Sequence, residues 1–328
     1  MSTSRTYRSL ATNIDEGKEG QVLLDILAYL PERIRVAILA QKPEGPDGVE
    51  EVRLREGRPL SLVFSGADSF LPLVVSRDDL DRCVALISRN SVYAFEEEMR
   101  QGFLTLPGGH RVGLAGKVVL ENGRPRTVHP ITGLNFRVSR ALAGAAEPVL
   151  PALVDRRSGR LRHTLVISPP GAGKTTLLRD LARLASEGYP KAGLQGQKVT
   201  IIDERSELAG SFQGCAQLDV GPRTDVLDGC PKAEGIMLAL RSLSPQVIVT
   251  DEIGRPEDAR AVEEAVNAGA TVLASAHGAD LTELTRRPTM VSLMSGAVFE
   301  RVITLMRQGR PGVVRSITDA AGGAVPCG

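Results

Sequence analysis

Eight residues, Ser168 to Thr175, read SPPGAGKT, between an apolar run at Leu165-Val166-Ile167 and a segment with leucines at 177, 178, 181 and 184. A strand, a tight glycine loop and an amphipathic helix in that order form a phosphate cradle. Phosphate oxygens need several backbone N–H donors aimed at one point with a helix N-terminus behind them. Pro170, Gly171, Ala172 and Gly173 would supply the close main chain, followed by Lys174, Thr175 and Thr176. Lys174 would reach the β- and γ-phosphates, and the Thr175 hydroxyl would ligate Mg²⁺. The expected ligands are therefore ATP and Mg²⁺. The strict pattern begins with glycine where this chain has Ser168, a position expected to turn out of the strand at some cost in backbone strain.

A second set of residues completes such a site. Val247 to Thr250 is an apolar run ending in Asp251-Glu252, a Walker B pattern. Ligands in parallel sheets gather at the carboxyl ends of the strands, so Asp251 would face the crevice of Lys174 and hold Mg²⁺ through water. Glu252 is placed to polarise the attacking water, or else is an acidic helix cap after a core strand. The run from Ala270 to Ala276 would lie between the two motif strands, with His277 at its end pointing at the γ-phosphate. A strand-end histidine bonded to a loop is the alternative. Asp203-Glu204-Arg205-Ser206-Glu207 follows another apolar strand, Lys198 to Ile202. Glu204 and Glu207 would position water or metal there, or the cluster would pair internally through Arg205.

These residues need elements to hold them. From Leu161 onward, strands and helices alternate, which implies a parallel sheet with helices on both faces. Phe299 to Met306 and Val313 to Ile317 suggest a closing antiparallel pair at one edge. Upstream, residues 21–153 read as a smaller α+β domain. It has two short helices broken at Pro31, a hairpin around Glu56-Gly57-Arg58-Pro59, a helix opened by Ser76, and two or three short strands between Gly102 and Val128. Residues 1–20 read as a flexible N-terminus, and 154–163, with Arg156, Arg157, Arg160 and Arg162, as a solvated linker.

Composition bounds the class. With 42 % hydrophobic and 24 % charged residues in 328, the chain is globular with room for two domains. A net charge of +1 and 3 % aromatic residues argue against a nucleic-acid platform. Cys83, Cys215, Cys230 and Cys327 form no C-x-x-C pair, so neither zinc nor disulfides are expected, and Cys215 and Cys230 are read as buried thiols. No apolar run is long enough to span a membrane, and the N-terminus lacks the apolar core of a signal peptide.

The order SPPGAGKT, IIDERSE, VIVTDEIGRPEDARA and ASAHG resembles the secretion ATPase superfamily, with Arg241 in the segment where those motors carry an arginine. Longer strings, EVRLREGRPL, SVYAFEEEMRQGFLTLPGGHRVGLAGKVV, GLNFRVSRALAG and DVLDGCPKAEGIMLALRSLSPQVIVTDEIG, are similar to the stage III sporulation protein AA family. The resemblance covers about residues 20 to 320. It implies a RecA-like P-loop ATPase domain over 164–328. It implies a homo-oligomer, a hexameric ring, working with membrane-anchored proteins of a sporulation channel complex and with no specific nucleic acid. The place implied is the mother-cell cytoplasm, peripheral to the outer forespore membrane. Arg137 and Arg140 resemble the arginine strand with which N-terminal domains of such motors contact nucleotide. Three apart on an extended segment, they would face opposite ways, and Arg137 is the one expected to act. Pairing with Glu96 to Glu98 is the alternative for both. Two other functions compete: a RecA-like nucleic-acid motor or RNA-binding ATPase, and a nucleotide-dependent scaffold with little turnover.

Overall fold

Apolar residues at every second position, Val52 and Leu54, then Leu60 and Leu62, put one face of a hairpin into a core. The computed structural model describes residues 25–40, 48–64, 67–88, 99–100, 102–140, 142–295, 298–308 and 310–326. The expected flexible N-terminus lies outside them. The chain divides between Arg140 and the residue after it into two units.

The first unit is a six-stranded sheet in the order β3-β2-β1-β6-β5-β4. Its strands are β1 (Glu51–Arg55), β2 (Pro59–Phe64), β3 (Ala67–Val74), β4 (Phe103–Leu106), β5 (His110–Glu121) and β6 (Arg124–Arg137). All neighbouring pairs are antiparallel. Ile34 of α1 (Glu32–Leu39) and Leu80 of α2 (Arg77–Ser88) pack with Leu54, Leu62, Leu104 and Phe136 in one core. Helix α2 begins as its sequence predicts: the Asp79 amide donates to Ser76 Oγ at 3.3 Å and the Ser76 amide to Asp79 Oδ2 at 2.7 Å. Arg33 adds an ion pair, and its hydrogen bond is the main reason the Asp79 carboxyl falls to about 2.

Two expectations for this unit change. The segment expected to hold two or three short antiparallel strands holds three, the four-residue β4 and the longer β5 and β6, 12 and 14 residues long, the last running beyond the segment. Strand β3 was not anticipated, because seven of its eight residues are not buried and its sequence carries no core alternation.

The second unit is a seven-stranded sheet ordered β11-β10-β12-β13-β9-β14-β15. It comprises β9 (Thr164–Ser168), β10 (Val199–Asp203), β11 (Thr224–Asp228), β12 (Val247–Thr250), β13 (Thr271–His277), β14 (Arg301–Gln308) and β15 (Arg310–Asp319). Only the last pair, β14 with β15, is antiparallel, which bears out the expected closing edge. Successive residues of β9 serve opposite layers. Val166 packs with Leu177, Leu178 and Leu181, whereas Leu165 and Ile167 pack with Ile236, Val262 and Ala265. A strand buried on both faces reads as a continuous apolar run, which is how these strands appear in sequence.

Helix α4 (Lys174–Glu187) covers the first layer, and α5 (Lys232–Ser242) and α6 (Pro256–Asn267) the second. The short helix α3 (Leu150–Leu153) sits with α4, since Leu150 and Leu153 join the same core and the Ala146 amide donates to Asp180 Oδ2 at 2.7 Å.

The expected boundary at residue 153 therefore moves upstream: apolar burial against α4 assigns 142–153 to the second unit. Nor are residues 154–163 a free linker. Val154 pairs with Leu161 and Asp155 with Arg160 in a two-stranded hairpin, β7 and β8. Arg162, expected in solvent, is ion-paired with Glu300 at 2.8 Å and Asp155 at 3.4 Å. Arg156, Arg157 and Arg160 are exposed.

Candidate functional site

The glycine loop leaves the carboxyl end of β9 and enters α4 at Lys174. Gly171 and Gly173 have φ of 71° and 95°, conformations that cost a side-chain-bearing residue strain. Ser168 does not share them; it is the last residue of the strand, in register with His277 of β13. The expected backbone strain at Ser168 is therefore absent. Pro170 and Gly171 are exposed, Ala172 is buried, and Thr175 and Thr176 are half-buried on the first turn of α4. The Gly312 amide in β15 donates to Ala172 O at 2.8 Å and so holds the loop from the sheet edge.

Lys174 is 7 % exposed, and burial lowers its pKa against the opposing pull of Glu252 and Asp251. Its Nζ donates to His277 Nδ1 at 3.1 Å and to Ser168 O and Oγ, each at 3.3 Å. An ammonium only donates, so the His277 proton sits on Nε2, which is 2.8 Å from Glu252 Oε1. Arg205 lies 3.2 Å from Glu252 Oε2 and 3.7 Å from Glu207. The residues expected to bind phosphate, sense it and polarise water, Lys174, His277 and Glu252, thus form one chain of contacts, which continues to Arg205.

Glu252 has φ 48°, an uncommon conformation for a residue with a long side chain. Ser275 of β13 holds it there. Its hydroxyl accepts the Glu252 amide at 3.0 Å and its carbonyl accepts the Ile253 amide at 2.8 Å. Strain kept by surrounding contacts aims this carboxylate, as it does in many functional sites. β13 lies between β12 and β9, the insertion expected from the sequence.

Asp251 is 1 % exposed, and neither carboxylate oxygen has a hydrogen-bond partner. Burial, then Asp203 and Glu207, push its pKa up to about 7, while Lys232 pulls the other way. A buried carboxylate without a donor is a poor structural element and a good cation ligand. With the Thr175 hydroxyl at the start of α4, the donor set is hard oxygen, which suits Mg²⁺ completed by water and phosphate.

The segment after β10 is organised by Asp203, whose buried carboxylate accepts the amides of Glu207 and Ala209, each at 2.8 Å. That makes Asp203 a fold determinant of the loop. Glu204 is ion-paired with Lys232 and 4.0 Å from Arg255, whereas Glu207 meets Arg205. Pairing through Arg205, weighed above as an alternative, is present, but it runs into Glu252 and so into the site itself. Lys232 and Ser275 escaped the sequence reading. Lys232 opens α5 just after a proline, and Ser275 is one small residue inside a largely apolar strand; only the sheet order brings either to Asp251-Glu252.

In the first unit, Arg137 closes β6, is 59 % exposed and lies 3.6 Å from Glu51. Arg140 is past the strand and donates to Val49 O at 3.0 Å. The acids Glu96 to Glu98 lie outside the described residues. Cys215 is exposed and Cys230 half-buried, which corrects the reading of both as buried thiols.

A parallel sheet carrying this loop and the Walker B strand, with one strand between them, defines a RecA-like P-loop fold, preceded here by a smaller α+β domain. The chain matches the family described as Sporulation stage III, protein AA, over residues 20–325, and belongs to that family. It is 43 % identical over 298 residues to Stage III sporulation protein AA of Bacillus subtilis, covering 91 % of this chain and 95 % of that one. Among solved structures it is similar to the pilus retraction motor PilT with bound ADP, at TM-score 0.54 and 17 % identity over 83 % of this chain and 76 % of that one. It is also similar to the Legionella pneumophila ATPase DotB, at TM-score 0.51 and 15 % identity over 78 % and 72 %. Among the described residues no helix is long and apolar enough to cross a membrane.

Proposed function

We propose that this chain is a Mg²⁺-dependent ATPase of the secretion-motor type, energising assembly or transport by a sporulation channel complex. The observation that carries the reading is the pairing of a buried P-loop lysine with a buried, partnerless carboxylate at the carboxyl edge of one sheet. When bound, Mg²⁺ supplies neutralisation of the phosphate charge that builds during transfer. Lys174 and the amides of residues 170–173 bind and orient the phosphates. Asp251 and Thr175 hold the cation. Glu252, aimed by Ser275 and braced by His277 and Arg205, orients water and takes its proton.

Glu252→Gln is expected to bind ATP while steady-state phosphate release falls by about 10²-fold. A small loss there, with Glu204→Gln or Glu207→Gln inactive, would move the base into the loop after β10.

The proposal extends to a homo-oligomeric ring, a hexamer, docked to membrane-anchored proteins of the complex on the outer forespore membrane. Ring ATPases complete a site with a neighbour's cation, and exposed Arg137 is the residue assigned to that task here. Arg137→Ala subunits mixed with Lys174→Ala subunits should recover part of the activity that each lacks alone. No recovery at any ratio, with oligomers intact by mass photometry, would remove Arg137 from that role.

A further inference from the structure

The three N–H donors of the Lys174 ammonium meet three protein acceptors: Ser168 O, Ser168 Oγ and His277 Nδ1. One of them exists only because residue 168 is a serine. The Ser168 hydroxyl donates its own proton to Pro169 O at 2.7 Å, so its lone pairs are left for the lysine. Ser168 is fully buried, which gives water no part in that exchange. Its backbone is extended and paired with β13, so nothing in the local conformation calls for glycine. The hydroxyl is thus an added acceptor on the lysine that must reach phosphate.

We propose that Ser168 sets nucleotide affinity by holding Lys174 back: its hydroxyl competes with phosphate oxygens for the lysine and so weakens binding and speeds product release. The proposal rests on the nucleotide-site reading given above. It makes Ser168 a positioning residue, acting through Lys174 rather than on the substrate. Where release of product limits turnover, a looser grip on diphosphate shortens the cycle.

Ser168→Ala and Ser168→Gly both delete the hydroxyl, and the second also restores the strict glycine pattern. Each should bind ADP about 3- to 10-fold more tightly, the range of one net hydrogen bond, with dissociation slowed by a similar factor. KM for ATP should fall while kcat does not rise. In the Lys174→Ala background the same substitutions should change nothing, since the competition is for that side chain. Stopped-flow release of a fluorescent ADP analogue from the full chain reads the parent, the three single variants and the two double variants, with melting curves checking that each is folded. Unchanged or weaker binding in Ser168→Ala would overturn the proposal. So would tightening in Ser168→Gly alone, which would indict the Cβ rather than the hydroxyl. If Lys174→Ala binds nucleotide as the parent does, the site reading itself fails. If Lys174→Ala loses binding and Ser168→Ala is neutral, only the role of Ser168 does.

Discussion

Lys174→Ala should abolish ATP turnover and weaken nucleotide binding by about 30- to 150-fold, the loss expected on removing one charge-assisted contact. The substitution is severe because Lys174 is the buried cation of the loop itself. Lys232, a second buried lysine beside the site, is ion-paired with Glu204 on the far side of β12 from β13 and β9. The deletion also leaves His277 Nδ1 without its donor, which frees the ring to turn away from Glu252. Base orientation should therefore suffer along with phosphate binding. Equilibrium titration with a fluorescent ATP analogue and a phosphate-release assay measure the two effects. Far-UV circular dichroism should be unchanged, because the lysine lies on the first turn of α4 and the core face of that helix begins at Leu177. Near-normal turnover in this variant would sink the assignment of the site.

What the sequence made legible follows from how local each signal is. β9, its glycine loop and α4 are contiguous, and their pattern of apolar run, small residues and leucines at helical spacing was readable without any long-range knowledge. The same holds for β12 and β13, largely apolar because both faces are covered. His277 could be placed because a parallel strand must end at the edge where the loop lies. β3 and the edge strand β11 were not readable, since no residue of β11 and only one of β3 is buried, and alternation signals a strand only where one face is covered. Pairings across long sequence separations were invisible in principle. Arg162 with Glu300 is an example, and so is the Ser275 hydroxyl that fixes the left-handed Glu252. The unit boundary was misplaced for the same reason: residues 142–153 look like a continuation of the first domain until α4 is seen packing on them.

Asp251→Asn is expected to stabilise the second unit at pH 8 while eliminating Mg²⁺-dependent hydrolysis. The carboxyl is 1 % exposed and has no donor, and burial pushes its pKa up to about 7, well above the ordinary carboxylate range. Because the folded protein holds this proton more tightly than the unfolded chain, stability falls as pH rises from about 4 to about 7. The penalty is absent below that window and complete above it. The rise in pKa from about 4 to about 7 corresponds to about 4 kcal/mol as an upper bound. The buried amide of asparagine also lacks partners, which offsets part of the gain, so a net stabilisation of about 1–3 kcal/mol is expected. In a unit of this size that raises the melting temperature by about 2–4 °C per kcal/mol. The comparison is made in EDTA without nucleotide, at pH 8 and at pH 5. The variant's advantage should be present at pH 8 and shrink at pH 5, where the parent carboxyl is largely protonated. Adding Mg²⁺ and ATP should reverse the order, since ligands that bind only the folded parent stabilise it by mass action. A variant that melts no higher than the parent at pH 8 would show that Asp251 is satisfied by a contact other than a cation, and the destabilised carboxylate would no longer mark the metal position.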